Sequence, residues 1–224
     1  MRKYFQIQGE SLNERNPRWL QDDYVKFIRF GESEIERTDT GILGYITNHG
    51  FLANPTFRGL RYSLIQSFSD LRLIDLHGNS KRGERCPDGS PDENVFDIQQ
   101  GVSVILATQP ITKHRSKVVS HADFFGPRTE KYEKLKQELS LCFRPVNPAP
   151  PFFILSPQNE GLRVEFELAV GLTNVFSSTS VGIVTARDAL TLHFTCEDAV
   201  ETAKSFLSMT PEKARNHFTL GPDS

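Results

Sequence analysis

Cysteine is scarce in this sequence, and its few cysteines form no recognisable site. Cys86, Cys142 and Cys196 are far apart and odd in number, which argues against a disulfide framework and against a zinc site built on Cys-x-x-Cys pairs. A reducing compartment, the cytoplasm, is therefore the expected location. Long apolar runs are lacking too, since none approaches the roughly 18 residues of a membrane span. We expect no contact with a membrane.

An excess of positive charge is also lacking. The formal net charge is −2, with 26 Lys and Arg against 28 Asp and Glu. Nothing in the overall charge therefore points to nucleic acid, and any DNA-binding role must depend on local patches. A hydrophobic share of 38% with 24% charged residues is ordinary for a globular protein. The 224 residues suffice for one large domain or two small ones.

The glycine motifs that hold nucleotides are missing. No G-x-G-x-x-G fingerprint occurs, and the stretch from Gly78 to Gly83 is followed by Glu-Arg where a phosphate-binding P-loop requires Lys and Ser/Thr. No Ser–His–Asp or Cys–His set follows from the spacing. The acidic cluster of Asp88, Asp92 and Glu93 has no Lys partner at the spacing of a metal-dependent nuclease. The sequence therefore predicts neither a metal site nor a resident catalytic group.

Hydrophobic periodicity predicts an α/β fold. Apolar residues recur at helical spacing over residues 17–37 and 55–68. Residues 41–47 and 71–76 are apolar on both faces, as in a parallel sheet covered by helices, and would form a right-handed βαβ unit. Residues 102–108 predict another strand, antiparallel to its neighbour, because no helix precedes it to carry a parallel crossover.

The pattern changes after Gln109, and we place a boundary within residues 110–116. This divides the chain into domains 1–112 and 113–224. Further strands are expected at 94–98, 117–125, 152–155, 181–186 and 190–195, with an exposed helix at 130–141, a helix at 196–208 capped by Thr195, and a last short one from Thr210-Pro211.

Polar residues at the end of the first strand are candidates for ligand contact. Open α/β sheets bind ligands at the carboxyl ends of their strands, and Asn48 and His49 follow strand 41–47 directly. The alternative is that they form a turn. The Asn-Pro-Thr-Phe stretch at 54–57 resembles an Asn-Pro-Pro-Tyr/Phe methyltransferase motif. It lies several residues past the strand and lacks the second proline, so a helix cap is favoured.

The polar loop 77–93 carries a local group of cations, Lys81, Arg82 and Arg85. They are candidates for contacts with DNA phosphates. The alternative is a solvated loop whose positive charge is offset by acidic neighbours, which are Glu84, Asp88, Asp92 and Glu93.

Four stretches resemble the type ISP (single-chain type I) restriction–modification enzymes. They are DDYVKFIRF at 22–30, GILGYITNHGFLANPTFRGLR at 41–61, LIDLHGNSKRGERCPDGSPDENVFDIQQGVSVILATQ at 73–109 and GIVTARD at 182–188. The resemblance is to the carboxyl half of the adenine-N6 DNA methyltransferase domain and the start of the target-recognition region. It implies a partial Rossmann-like methyltransferase sheet, made of its last three strands with the final one antiparallel, followed by a smaller α+β region.

The resemblance also implies a function for the whole enzyme. Such an enzyme flips an adenine out of double-stranded DNA and methylates it from S-adenosyl-L-methionine. Neither the cofactor glycine motif nor the catalytic Asn-Pro-Pro-Tyr occurs in this sequence, so we expect a fragment that needs the remainder of the methyltransferase and methylates nothing alone. The alternatives are a stand-alone, non-catalytic DNA-binding or specificity module and an unrelated α/β nucleotide-binding enzyme.

Particular residues follow from the resemblance. Phe96 occupies the place of an aromatic side chain that packs on the flipped base, with Asn48 at the same pocket, although Phe96 is also readable as a core residue of strand 94–98. Gln99 and Gln100 would approach DNA from the same loop. Arg187 is either a DNA contact or part of a surface turn.

A half sheet raises a physical problem at residues 41–47. Without a neighbour this strand is an exposed apolar edge. We therefore expect self-association, or cover by residues 1–15 or by the second domain.

Overall fold

A computed structural model describes residues 1–12, 17–111, 117–137, 143–176, 178 and 187–220. It divides by compactness into one unit of residues 1–167 and another of 168–224, each described by itself. The first contains strands β1 (Gln6–Ile7), β2 (Glu10–Ser11), β3 (Gly41–Asn48), β4 (Asp70–His77), β5 (Val102–Gln109), β6 (Val118–Asp123) and β7 (Arg144–Pro145), with helices α1 (Asp23–Thr38), α2 (Arg58–Ser67), α3 (Arg128–Lys136) and α4 (Glu160–Leu168). The described helices that follow are α5 (Leu172–Val175), α6 (Asp188–Thr191), α7 (Cys196–Ser208) and α8 (Pro211–His217).

The main sheet confirms the predicted fold class. Its strand order is β3-β5-β4-β6-β7. Strand β5 runs antiparallel to both β3 and β4, so these two point the same way on either side of it. Strand β6 pairs parallel with β4, and β7 closes the far side antiparallel to β6. This is an α/β fold with a mixed sheet, compatible with part of a methyltransferase.

Helix α1 buries most of the apolar stripe predicted over residues 17–37. Val25, Ile28 and Ile35 of that stripe face inward, as predicted. Trp19 and Phe27, which the same spacing placed on the stripe, are 45% and 60% exposed. Trp19 lies on a separate 3-10 turn, Pro17–Gln21, which precedes the helix and does not share its spacing. Phe27 lies two residues from Val25, which is off a stripe spaced by three and four residues.

Two apolar clusters lie on opposite faces of the sheet. Helices α1 and α2 cover one face, where their side chains meet Leu73 and Ile105. The other face has a smaller cluster around Ile74 and Val102, to which α3 contributes Leu135. Helix α3 was predicted as an exposed helix over 130–141. It ends at Lys136 and buries its Lys131 side chain, because it lies over the end of β4 instead of standing free in solvent.

Strand β3 is an open edge of the sheet. Among the described residues it pairs with β5 alone. Residues 1–12 pack against α2, where Gly59 lies against the Tyr4 carbonyl. Ile42 and Ile46 are 78% and 55% exposed, on the face opposite α1. This bare apolar strip is the surface that the sequence predicted to need cover.

We expect the chain to self-associate through β3, with an apparent mass that rises with concentration in sedimentation or light scattering. Ile46→Lys should reduce this association, because a charge on an edge strand opposes pairing with another chain. Val118→Lys, on a similarly exposed but internal strand, is the matched control. A monomer at all concentrations, or equal effects of the two substitutions, would contradict the prediction.

The remaining predictions of secondary structure have mixed outcomes. Thr195 caps α7 through its side chain, and the short helix after Thr210 is present, so both are confirmed. The strands predicted at 94–98, 152–155 and 190–195 do not form. Short apolar runs do not decide between strand, helix and loop without their tertiary contacts. The strand predicted at 181–186 lies outside the described residues.

The domain division 1–112 and 113–224 stays a prediction. The compact unit extends past it because β6 pairs along its whole length with β4.

Cys86 and Cys196 are free thiols. In the part of the chain that is described, no helix has both the length and the apolar character needed to cross a membrane.

Candidate functional site

Polar side chains gather where β3, β4 and β6 end. A cavity of about 400 Å³ opens there. Its lining combines ionisable groups from strand ends and loop with apolar residues from the turn after β3, and consists of His49, Gly50, Leu52, Ala53, Asn54, Pro55, Asp75, Arg82, Glu84 and Ser156. This is the edge at which open α/β sheets bind ligands.

The end of β4 is distorted in a way that redirects its side chains. The ladder with β5 shifts register between Asp75 and His77, and His77 has a φ of 52°, in the left-handed region. The Asp75 carboxylate accepts a hydrogen bond from the His77 backbone N–H at 2.9 Å and holds this bulge. Gly78 follows with a φ of 78°, and a side chain there would collide with the backbone of Asn94. The bulge turns the imidazole toward the neighbouring strand ends.

His77 lies between two carboxylates. Its Nδ1 is 2.7 Å from Glu84 Oε1 and its Nε2 is 2.9 Å from Asp123 Oδ1, and its ring stacks on Phe125 at 3.7 Å. Burial alone would lower the pKa of His77. The hydrogen bonds to Asp123 and Glu84, with the charge of Asp75, outweigh it and raise that pKa from 6.5 to about 9. His77 is therefore an imidazolium at neutral pH and donates to both carboxylates.

His49, His77 and Glu84 are the described residues whose donor atoms lie close enough to hold a metal ion, within 4.8 Å of one another. In the observed arrangement both His77 nitrogens face carboxylates, and His49 Nδ1 lies 3.0 Å from Asp75 Oδ1. Both nitrogens of His77 are thus engaged by carboxylates, and the second nitrogen of His49, Nε2, lies 3.1 Å from Asn79 Nδ2. The geometry is that of an ion-pair network, and the absence of a metal stays a prediction.

Lys81 and Arg82 are exposed cations with no ion pair to any residue that the structure describes. They lie on a 3-10 turn, Ser80–Arg82, whose start is capped by the buried Asn79 side chain. The predicted alternative, a solvated loop whose charge is offset by acidic neighbours, stays a prediction, and Glu84 lines the same cavity as Arg82. Those acids have other partners: Glu84 binds His77, Asp88 binds Ser90, Asp92 binds Lys131, and Glu93 binds the Arg128 backbone.

The third loop cation is used differently. Arg85 donates from Nη1 to the Gly89 carbonyl at 3.2 Å, across a tight turn within the loop. It remains exposed, so its charge is still available at the surface.

A buried ion pair fixes the loop to α3. Lys131 Nζ lies 2.8 Å from Asp92 Oδ1, and both side chains are fully buried. Lys131 also donates to the Leu76 carbonyl at 2.7 Å. Asp92 in turn accepts from the backbone N–H groups of Gly78 at 2.6 Å and Gly126 at 2.8 Å. These bonds determine where the loop lies relative to the strand ends.

Three of the predicted pocket and DNA residues are brought together by side-chain amides. Gln100 donates to Asn48 Oδ1 at 3.3 Å, and its carbonyl accepts from Asn94 Nδ2 at 2.7 Å. Asn94 Oδ1 accepts from the Phe96 backbone N–H at 2.9 Å. Phe96 itself is 45% exposed, and its neighbour Val95 is the buried residue. The alternative reading of Phe96 as a core residue is therefore excluded.

The remaining predicted residues lie in separate places. Gln99 is exposed in the same loop. Arg187 is exposed at the start of α6, in the second compact unit, and residues 182–186 of its motif lie outside the described residues. Asn54 accepts from the Thr56 backbone N–H at 3.0 Å, which confirms the helix-cap interpretation of its motif.

Sequence reasoning missed the ionic network and its link to α3. His77, Asp123 and Lys131 are separated by many residues in the chain, and β-strand pairing and the packing of α3 bring them together. The one available signal was a histidine directly after an apolar strand.

Comparisons with known proteins show which solved structures this chain resembles. No protein-family model matches the sequence, and no curated protein matches it. Among solved structures, the ATP-dependent Type ISP restriction-modification enzyme LlaBIII bound to DNA matches 87% of this chain, with a TM-score of 0.62 and 26% identity. This chain is similar to part of a type ISP restriction–modification enzyme. The predicted resemblance is confirmed.

Two further structures share the fold. The DrdV–DNA complex, determined by cryo-EM, covers 91% of the chain with a TM-score of 0.59 and 20% identity. A nuclease-deletion mutant of the Type ISP enzyme LlaGI, in complex with a DNA substrate mimic, covers 86% with a TM-score of 0.61 and 20% identity. The chain spans only 14%, 20% and 19% of the LlaBIII, DrdV and LlaGI chains.

Proposed function

We propose that this chain is part of an S-adenosyl-L-methionine-dependent DNA adenine-N6 methyltransferase of a cytoplasmic restriction–modification enzyme. It contributes a DNA-binding loop and one wall of the flipped-base pocket. The observation that carries the proposal is that Lys81 and Arg82, which form no ion pair with a described residue, lie at the strand edge that also presents the exposed Phe96 ring. The similarity to the DNA-bound LlaBIII supports it.

Each residue has a physical role in this proposal. A flipped adenine stacks on Phe96, since every base has a π-face that an aromatic ring can cover. The side-chain amides of Asn48 and Gln100 supply hydrogen-bonding groups beside it. The loop cations contact phosphates and position the duplex without reading its sequence. Gln99 and Arg187 are further contacts to double-stranded DNA.

The cofactor-binding and catalytic motifs of the site would come from the remainder of the methyltransferase. The residues described offer no glycine motif for S-adenosyl-L-methionine and no Asn-Pro-Pro-Tyr, so no chemical step through the cofactor is assigned to them. The open edge of β3 and the bare Ile42 and Ile46 are suited to accept the missing part of the sheet. This edge favours a fragment over a stand-alone DNA-binding module. We expect no methyl transfer by the chain alone.

We expect Lys81→Ala/Arg82→Ala/Arg85→Ala to weaken binding to duplex DNA by about tenfold or more at low salt. Each lost phosphate contact should also reduce the slope of log affinity against log salt by about 0.9. Fluorescence anisotropy with labelled duplex at several salt concentrations measures both quantities.

The matched control removes three positive charges elsewhere, in Lys26→Ala/Arg37→Ala/Lys136→Ala. These side chains form exposed pairs within their own helices. The control should lose much less affinity than the loop variant. Equal affinity and equal salt slope for the wild type and the loop variant would overturn the assignment of the loop to phosphate contact.

A further inference from the structure

The segment that carries Phe96 is irregular, yet the side chains of α3 hold it almost residue by residue. Arg128 donates from Nε to the Asn94 carbonyl at 2.7 Å and from Nη2 to the Phe96 carbonyl at 3.1 Å. Tyr132 donates its hydroxyl to the Val95 carbonyl at 2.5 Å. Consecutive peptide groups of the segment are therefore fixed by one helix.

Three more hydrogen bonds complete this contact. Lys131 Nζ donates to the Glu93 carbonyl at 2.6 Å, and Arg128 Nη2 donates to Asp97 Oδ1 at 2.7 Å. The backbone N–H of Arg128 also donates to Glu93 Oε2 at 2.8 Å. One guanidinium thus reaches three residues of the loop, Asn94, Phe96 and Asp97, which needs the planar fork of arginine and cannot be reproduced by lysine.

At Phe96 the side chain is exposed, whereas the backbone is held by hydrogen bonds. An exposed aromatic ring on an irregular loop is normally free to move, and ordering it on ligand binding carries an entropic cost. Here the ring is exposed while its main chain is held on both sides, by Arg128 and through Asn94. A stacking platform that is already in place can bind an unpaired base without that cost.

We propose that Arg128 and Tyr132 are positioning residues that hold Phe96 in place for the flipped base. This inference rests on the proposed function, in which Phe96 forms the base pocket. Arg128 acts on the base through the loop and not by contact with DNA. Because α3 follows β6, the pocket aromatic is held by a helix from the part of the chain that the sequence assigns to target recognition, so the two parts are physically joined at this point.

A measurement without DNA tests the holding contact. Hydrogen exchange of the amides of residues 94–98 is compared in the wild type, Arg128→Ala, Tyr132→Phe and Lys136→Ala, at a temperature where all are folded. We expect exchange about tenfold faster or more in Arg128→Ala, because the segment then opens locally. Tyr132→Phe should have a smaller effect. Lys136→Ala removes the same charge from the far end of α3 and should have none.

A second measurement tests the role. The double variant Trp19→Phe/Phe96→Trp removes the sole tryptophan and places an indole in the proposed pocket. The fluorescence of this indole is followed as DNA is added. Two duplexes are compared, one with an adenine opposite an abasic site and one fully paired. The unpaired adenine should quench the indole and bind preferentially. Adding Arg128→Ala should reduce that preference by about fivefold or more, the lower end of what one base–aromatic stack contributes, and leave binding to paired duplex nearly unchanged.

Arg128→Lys separates positioning from charge. It keeps the positive charge but not the fork, so it should behave like Arg128→Ala in both measurements. If it behaves like the wild type, Arg128 contributes charge alone and the proposal is overturned. Unchanged exchange at residues 94–98 in Arg128→Ala overturns it as well.

Different results would overturn the base pocket at Phe96 and the positioning role of Arg128. If the reporter protein binds DNA with no preference for an unpaired adenine, the base pocket at Phe96 is wrong, and the positioning role is wrong with it. If the preference is present and survives Arg128→Ala, the pocket stands and the positioning role alone is overturned.

Discussion

Lys131→Met is expected to destabilise the protein by about 3–5 kcal/mol, the cost typical of removing one partner from a buried ion pair. Lys131 and Asp92 are both fully buried, with Nζ 2.8 Å from Oδ1. The substitution leaves the Asp92 carboxylate buried without its counter-charge. It also leaves the Leu76 and Glu93 carbonyls without the donor that satisfies them. Denaturant unfolding monitored by circular dichroism gives the free energy directly.

Methionine is the sharpest replacement because it keeps the unbranched apolar stem and is a good helix former. The loss then reports the charge and its hydrogen bonds more than a cavity. Lys136→Met, on the exposed end of the same helix, is the control and should cost no more than about 0.5 kcal/mol. A loss below about 1 kcal/mol for Lys131→Met would contradict the burial of this pair.

The double variant Lys131→Met/Asp92→Asn should recover part of the loss. Asparagine removes the stranded charge but can still accept one of the two backbone hydrogen bonds that Asp92 receives from Gly78 and Gly126. The effects of the two substitutions should therefore be strongly non-additive, as expected for residues in direct contact. Additive losses would show that the two residues stabilise the fold independently.

A second large effect is expected from pH. The pKa of His77 is raised from 6.5 to about 9 in the folded protein. A raised pKa contributes stability that is fully present below the unfolded value and is lost as pH rises through the folded value. The free energy of unfolding should therefore fall between pH 6.5 and 9, by up to about 3 kcal/mol at roughly 1.4 kcal/mol per pKa unit.

The carboxylates of the same network determine how the stability of the protein falls at low pH. Burial would raise the pKa of Glu84, but hydrogen bonds from His77 and the Asn79 backbone outweigh it and lower that pKa from 4.5 to about 2. Against its burial, Asp123 has its pKa lowered by hydrogen bonds to His121 and His77. A lowered pKa contributes stability above the unfolded value that is lost as pH falls through the folded value. This cluster is therefore most stabilising between about pH 4.5 and 6.5.

Thermal unfolding across this pH range, with wild type and His77→Gln, measures the effect. The variant should be less stable at pH 6 and should lose much of the decline above pH 6.5, because the group that titrates is gone. His217→Gln, an exposed histidine in the second unit, is the control and should follow the wild type. A wild-type melting temperature that is flat from pH 6 to pH 9 would refute the imidazolium at His77.

Local sequence signals were sufficient where one segment determines its own structure. The apolar runs at 41–47, 71–76 and 102–108 became β3, β4 and β5, because a short apolar run bounded by turn residues favours a strand. The caps at Thr195 and Asn54 form as predicted, since a capping bond joins residues two or three positions apart.

The same signals failed where packing chooses between alternatives. Lys131 reads as a surface residue among alternating charges, yet α3 turns it into the protein. Phe27 is apolar at helical spacing, yet it faces solvent. Residues 152–155 are apolar and residues 190–195 alternate apolar and polar, yet neither segment forms a strand, because a strand needs a hydrogen-bonding neighbour that no single segment contains.

The candidate site shows the same division. Sequence alone determined the three central strands and the resemblance, and it predicted which residues contact DNA, with Phe96 as a pocket residue. Tertiary structure alone decided that Glu84 and Asp92 pair with His77 and Lys131, that His77 is held between Glu84 and Asp123, and that α3 holds the Phe96 loop. The physical reason is that hydrophobic periodicity and capping act within a few residues. Charge pairing instead depends on distances that exist only after distant segments have packed together.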